Sequence, residues 1–446
     1  MIDNIKNKIL KTSEFPFFYE LPYLIAIIFS VGFLHPDEHF QIIEPLRFLE
    51  SSATLAELTW EFSLKMRPWF QTYIYFIISK LFFFLGPFKL VSLFKLLTAS
   101  IVIIYLRQVT SEVESHNKKY YYLLWFLPLL GARTASDVLF SVISAIALFQ
   151  LIKSNHSELK RFILSGTLFG LAFLIKYQAI IILGLYGIWL ILIKRLTLKN
   201  FFAISLSFIF VSSLEIFFNF LATGELFFST YNHLYQNIVL GKSAGFGVTP
   251  WWDYLKMILI KGVFPLSIIF SYMFFKDLKS FKSSPVGFIA LSYLIIHMLI
   301  PHKEFRFLMP IFFMIPMVLD YKIELLKNKF VWCLNIVILF IICLKPQTSN
   351  MSLYSYIYEN KVNRVVTLDK GAATYSLPMK YFLPEKFELI KNESLDGGGF
   401  VLLPKLEDIE KLPHENCDLL VSKYPRFVWK YKSFNKRTWT LWKCDS

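Results

Sequence analysis

Apolar runs of about 15 to 22 residues recur from Phe18 to Leu344, separated by short polar stretches rich in Lys and Arg. Phe18 to Leu34, Phe201 to Leu221 and Phe330 to Leu344 are representative. At 1.5 Å rise per residue, helices of this length reach across a hydrocarbon core of roughly 30 Å, some only just. The pattern predicts an all-α polytopic membrane protein. Between residues 37 and 67 the apolar positions fall at helical spacing among charges (Phe40, Ile43, Leu46, Leu49, then Leu55, Leu58, Phe62), which predicts amphipathic helices lying along the membrane surface. After residue 345 the long runs stop. Short extended patterns at Arg364 to Leu368, Phe400 to Leu403, Leu419 to Ser422 and Trp439 to Trp442, set among turn residues, predict a small α/β domain over 346–446.

Charge orients the spans. Lys160-Arg161, Lys194-Arg195-Lys199, Lys276-Lys279-Lys282 and Lys322-Lys327-Lys329 punctuate pairs of apolar runs, and the positive-inside bias assigns all four, with the Lys-rich residues 1–12, to the cytosol. Counting crossings from there puts the 35–67 loop, the 222–254 loop, residues 302–307 and the tail together on the opposite face. The runs at 69–86, 88–107, 121–132 and 137–153 must then sum to an odd number, so one of them, taken here as 121–132, is re-entrant or incomplete. The expected total is about eleven spans, forming a 1–345 transmembrane domain.

Composition agrees: 55% of the 446 residues are hydrophobic and 48 are Phe. The formal charge of +15 is scattered between spans and forms no continuous basic surface, which argues against a nucleic-acid partner. Cys333 and Cys343 fall inside an apolar run, whereas Cys417 and Cys444 lie in the tail and are able to pair if it faces an oxidising compartment. No metal-ligand spacing is present, and no cofactor is expected.

Two polar motifs sit at span ends. In HPDE, residues 35 to 38, Asp37 and Glu38 follow a proline; they fit a helix start, where carboxylates meet the positive helix end, and equally a general base at the rim of a cavity. His35 and His39 flank them as candidate acceptor contacts. In HKEFRF, residues 302 to 307, the cations His302, Lys303 and Arg306 fit interfacial anchoring, and equally a phosphate site with Glu304 orienting one of them. Arg133 and Asp137 lie between two apolar runs, suited to a mutual ion pair or to a phosphate contact by Arg133. Lys176, beside short spans, reads as snorkelling. The loop from Thr223 to Tyr254 is aromatic and polar: Trp251 and Trp252 suit an interfacial belt, while His233, Trp252 and Asp253 are candidate sugar contacts. Arg67, in MetArgProTrp, suits a lipid headgroup.

HPDEHFQ after the first span, TrpGluPhe with a following Arg-Pro, AlaArgThrAlaSerAsp, ThrProTrpTrpAspTyr and HKEFRF, in that order over about residues 18 to 320, resemble the α-mannosyltransferases of glycosyltransferase family 22. Within it the pairing of motifs is most similar to the enzymes that add the third mannose of glycosylphosphatidylinositol anchors. Departures are Asp137 in place of an Asn and LysTyrGln at 176 to 178 in place of an Arg-Pro pattern. The resemblance implies a GT-C fold, inverting transfer of mannose from a dolichyl-phosphate-linked donor to a glycolipid mannose, and an endoplasmic reticulum membrane. It implies Asp37 as base with Glu38 assisting, and His302, Lys303 and Arg306 at the donor phosphate. A bacterial inner-membrane relative with another polyprenyl-phosphate donor, sugar and acceptor fits the same motifs, as does a lipid-linked glycan flippase or polyprenyl-phosphate transporter.

Overall fold

The computed structural model describes residues 17–153, 157–320, 322, 324–367, 377–391, 399–403, 405–412, 417–426, 429 and 438–444. The Lys-rich start and the sequons at Asn155 and Asn392 lie outside them. Apolar runs become helices: α1 (Leu21–Phe29), α2 (Phe70–Leu81), α3 (Pro87–Val109), α4 (Phe126–Gly131), α5 (Ser136–Lys153), α6 (Glu158–Ile175), α7 (Ala179–Leu192), α8 (Leu198–Ser212), α9 (Leu214–Thr223), α10 (Asp253–Lys261), α11 (Leu266–Lys279), α12 (Val286–Met298), α13 (Met309–Val318) and α14 (Lys329–Leu344). Pro87–Val109 and the combined run Leu198–Thr223 are each long and apolar enough to cross a bilayer; several others are shorter apolar helices of 10–17 residues. Large apolar side chains such as Leu206, Phe210 and Phe330 point outward, the arrangement that a hydrocarbon solvent favours. Helices α6 and α8 approach closely because Gly166 and Gly170, one turn apart, leave their backbone open to Ile204, Ser207 and Val211.

Polar contacts show which segments traverse the bundle. Tyr23, early in α1, donates to the Tyr122 carbonyl at 3.2 Å, and Ser30, just past α1, receives Arg133 at 2.9 Å. The stretch from Tyr122 to Arg133 therefore runs the length of α1. Its backbone breaks at Leu123 to Trp125, where Asn335 accepts from the Trp125 N–H (3.0 Å) and donates to the Leu123 carbonyl (2.7 Å), pairing two main-chain groups that the break frees. The segment that stays at one end is α2. Trp69 before it bonds Asn219, Gln71 bonds the Thr134 carbonyl at 2.7 Å, and Ser79 bonds Glu50. This corrects the assignment of 121–132 as the incomplete run.

Residues 351–444 form the α/β unit expected from the tail. Helix α15 (Met351–Glu359) precedes strands β1 (Arg364–Thr367), β2 (Glu388–Lys391), β3 (Gly399–Leu403), β4 (Cys417–Ser422) and β5 (Thr440–Cys444) in the order β2-β1-β3-β5-β4. β1 pairs β2 and β3 in parallel; β5 is antiparallel to β3 and β4. The short β2 was not foreseen. Cys417 and Cys444 face each other in register and are joined by a disulfide. A second apolar core, separate from that of the bundle, joins this unit to the loop after α1 and to the start of α3 through Phe33, Ile43, Phe94, Tyr354, Phe382 and Leu441.

Candidate active site

Pro36 opens a helical turn after the extended His35, which places Asp37 and Glu38 in the first turn and carries the chain into residues 39–43. The two carboxylates then point to different places. Asp37 faces a narrow cavity of ≈ 20 Å³ shared with His35, Asp137 and Arg306. Its Oδ2 accepts from Arg306 Nη1 at 2.5 Å and from Gln41 Nε2, one turn on, at 2.6 Å. Its Oδ1 has His35 Nδ1 at 3.6 Å and makes no hydrogen bond among the described residues. Burial pushes the Asp37 carboxyl up, but the charges of Arg306 and Arg67 and the Arg306 hydrogen bond carry it below the ordinary aspartate value. Asp37 is thus ionised at neutral pH, with one oxygen held and one open.

HKEFRF arrives on the 3₁₀ turn Phe305–Leu308 that leads into α13. Glu304 accepts from Arg306 Nε at 2.5 Å and Nη2 at 3.1 Å, and lies 2.8 Å from His302 Nε2, so it orients two of the cationic side chains. Three of the five guanidinium N–H groups of Arg306 are engaged by Glu304 and Asp37, leaving two for an incoming anion. His35 bridges the two motifs: its Nδ1 accepts the Asp37 N–H at 3.2 Å and its Nε2 lies 3.3 Å from Glu304. Burial and the Arg306 charge lower its pKa, so the ring is neutral at pH 7, with the proton on Nε2 toward Glu304.

Glu38 and Arg133 also line the Asp37 cavity, but their polar atoms are engaged with the protein, and other sequence candidates lie away from it. Glu38 is buried, and both its oxygens accept: Oε1 from Thr134 N (2.7 Å) and Oγ1 (3.1 Å), Oε2 from Leu34 N (3.0 Å). It fastens the loop after α1 to the start of α5 from within the wall of the Asp37 cavity. His39 is buried against Phe33 and Phe382 with Nε2 on Glu44 at 2.7 Å, remote from any acceptor. Arg133 makes no ion pair with Asp137: fully buried in the wall of the cavity, it donates to the carbonyls of Ser30 (2.9 Å), Gly32 (3.1 Å) and Leu129 (3.2 Å) and to the Ser30 hydroxyl. The Lys303 ammonium donates to the Thr249 and Ile300 carbonyls, which pins the aromatic loop to HKEFRF instead of facing the cavity. Trp252 is half exposed and Asp253 begins α10; neither side chain bonds a residue of the site.

The structure adds residues that sequence reasoning left aside. Lys176, read as snorkelling, is buried and bonded to Asp137 at 2.5 Å, while Asp137 Oδ2 lies 3.8 Å from Arg306. Gln41 donates to Glu61 at 2.9 Å as well as to Asp37, and Glu61 holds Arg67 at 2.5 Å. The buried Arg67 Nε has no partner among the described residues, an orphan donor on a guanidinium whose charge acts on Asp37. The His233 ring lies tilted against Tyr177 at 4.7 Å, and burial with the charges of Arg67 and Lys176 lowers its pKa to about 3. Phe246 covers this end, 6.2 Å from Trp60 and 5.9 Å from His302. The i to i+4 step from Asp37 to Gln41 was the one signal available in advance.

Residues 15–384 match the model of the Alg9-like mannosyltransferase family. The chain belongs to that family. This Alg9-like mannosyltransferase is therefore an enzyme, a glycosyltransferase of the membrane. Its fold is that of ArnT from Cupriavidus metallidurans. The crystal structure of ArnT bound to undecaprenyl phosphate is similar over 97% of each chain, with TM-score 0.59 and 10% identity; the apo structure is similar over 95% of this chain and 96% of that one, with TM-score 0.54 and 9% identity. No curated protein sequence matches the mannosyltransferase.

Proposed function

We propose that the enzyme transfers mannose, with inversion, from a polyprenyl-phosphate-linked donor to a hydroxyl of a glycolipid mannose. The observation that carries this reading is the Asp37 carboxylate held 2.5 Å from Arg306 and acted on by the charge of Arg67, whose Nε is an orphan donor, which sets a base against two cations in one polar end of an apolar bundle. Asp37 Oδ1 takes the acceptor hydroxyl proton as that oxygen attacks the anomeric carbon. The bond from this carbon to the phosphate oxygen breaks, its electron pair leaves on the lipid phosphate, and the free N–H groups of Arg306 and Arg67 receive that charge. His302 and Glu304 hold Arg306 in place. His233 and the aromatic cover of Trp60 and Phe246 sit where a sugar ring would stack.

A lipid-phosphate donor is supported by the ArnT structure, in which undecaprenyl phosphate is bound on the same fold. In this reading the spans are eleven, α1, α3, the stretch through α4, α5, α6, α7, α8 with α9, α10 with α11, α12, α13 and α14, and the charge bias between them supports Asp37 and HKEFRF on the non-cytosolic side. The finer reading is a glycosylphosphatidylinositol-type acceptor in the endoplasmic reticulum, resting on the motif pairing described above. Purified protein given dolichyl-phosphate mannose and a mannosylated glycolipid tests it: a product heavier by one hexose is expected. Net movement of lipid across vesicles without a product would instead identify a flippase.

A further inference from the structure

A larger cavity of ≈ 760 Å³ is lined by Arg47, Glu50 and Ser52, by the turn between α2 and α3, and by residues 377–389 of the C-terminal unit. Its volume falls within the roughly 300–1,000 Å³ of small-molecule sites. Its lining is divided in character. Phe83, Leu85 and Leu90 form an apolar part, and Arg47, Lys80 and Lys380 supply cations. The apolar part opens on the turn before the membrane-crossing α3, where Leu81, Phe83 and Phe84 are 67%, 80% and 69% exposed, a run of side chains that belongs in a lipid leaflet.

The cations differ in their freedom. Arg47 is tied to Glu44 and to the Ser52 carbonyl, both at 2.9 Å. Lys380 shares Glu57 at 3.2 Å and is half exposed. Lys80 has no ion pair among the described residues; it lies over the Phe76 ring at 5.1 Å. Two carboxylates, Glu50 and Glu385, share the lining. Glu50 accepts from Ser79, and burial raises its pKa, which reduces its opposition to an anion.

We propose that this cavity binds an anionic membrane lipid, its phosphate between Lys80 and Lys380 and its first chain segment along Phe83, Leu85 and Leu90. The occupant is a lipid and not a soluble phosphate because the apolar part continues into the exposed phenylalanine turn. The site is separate from the transfer chemistry, since its lining shares no residue with the cavity at Asp37.

The test uses the full chain in neutral detergent with phosphatidylglycerol or phosphatidylcholine of identical chains, and retained lipid is counted by native mass spectrometry. Preferential retention of phosphatidylglycerol is expected, with affinity falling about fivefold in Lys80→Ala and further in Lys80→Ala/Lys380→Ala. Lys80→Gln, which removes the charge from a polar side chain, should lose affinity as Lys80→Ala does, and the unfolding midpoint in phosphatidylcholine controls for folding. Asp37→Asn should retain the lipid as the parent does. Equal affinity for the two lipids, unchanged retention in the double variant, loss in Asp37→Asn, or displacement by millimolar inorganic phosphate at constant ionic strength would overturn the proposal.

Discussion

Two groups of cations meet at the same end of the bundle and are satisfied in opposite ways. Around the turn Ser30 to Gly32, Lys95 and Arg133 are buried and donate to neutral carbonyls, Lys95 at 3.3 and 3.4 Å and Arg133 at 2.9 and 3.1 Å. Around Asp37, Arg306, Arg67 and Lys176 are each paired with a carboxylate: Asp37 and Glu304, Glu61, and Asp137. Carbonyls have no other state to offer, so the first group is a fixed clamp on the loop that leads to the base. Carboxylates exchange partners with an incoming anion or give up charge to a proton, so the second group is built for turnover. The difference teaches that an arginine between apolar runs declares a role through what it donates to, and not through its place in the sequence.

Removing the base should separate the two groups most sharply. Asp37→Asn is expected to lower transfer by about 10² to 10⁴ while the unfolding midpoint stays within a few degrees; parent-like turnover in a mass-resolved assay would dismiss Asp37 as base. Next, Arg306→Gln should lower kcat by about 10² to 10³ and also move the pH profile. Asp37 is held below the ordinary aspartate range, so activity is present above that depressed value and lost as pH falls through it. Without the guanidinium, burial acts on Asp37 with less opposition, and the acid limb should move to higher pH. A limb that stays in place would mean that another group titrates.

On the clamp the effect should fall on stability. Arg133→Met leaves the Ser30 and Gly32 carbonyls with Lys95 as their remaining donor and should cost about 1–3 kcal/mol in all, read as a lower unfolding temperature. The acid limb should not move. The smallest effect is expected at Glu38→Gln, where an amide keeps one acceptor for Thr134 but turns N–H groups toward Leu34. A stability loss of about 1–2 kcal/mol with nearly unchanged kcat per folded molecule is expected, and a loss of kcat comparable to that of Asp37→Asn would assign Glu38 to the chemistry.

Hydrophobic periodicity made the helices legible because each run reports its own environment residue by residue. The strands β1, β3, β4 and β5 were visible for the same reason. What stayed hidden depends on partners distant in the chain. Glu38 and Asp37 are adjacent and chemically alike, and only Thr134, 96 positions away, shows that one is fastened and the other open. Lys176 looked like a surface anchor until Asp137, 39 positions earlier, came to lie against it. The α2 run has the composition of a span, and its place at one end of the bundle shows only in the bonds made by Gln71 to Thr134 and by Ser79 to Glu50.

Gly32 sits at φ +83°, and a side chain there would run into Thr348, the second residue of the pair that leads from α14 toward the C-terminal unit. Gln347 N donates to the Val31 carbonyl at 2.8 Å, and Phe33 N donates to Thr348 Oγ1 at 2.8 Å. Farther on, Tyr381 N reaches Glu44 at 3.1 Å. The tail is thus stitched to the loop of the base at several points along its length. A binder raised against the C-terminal sheet, with no access to the sugar site, would be gripping the loop that carries Asp37, which makes the outer surface of this unit a target for inhibitors that need not resemble either substrate.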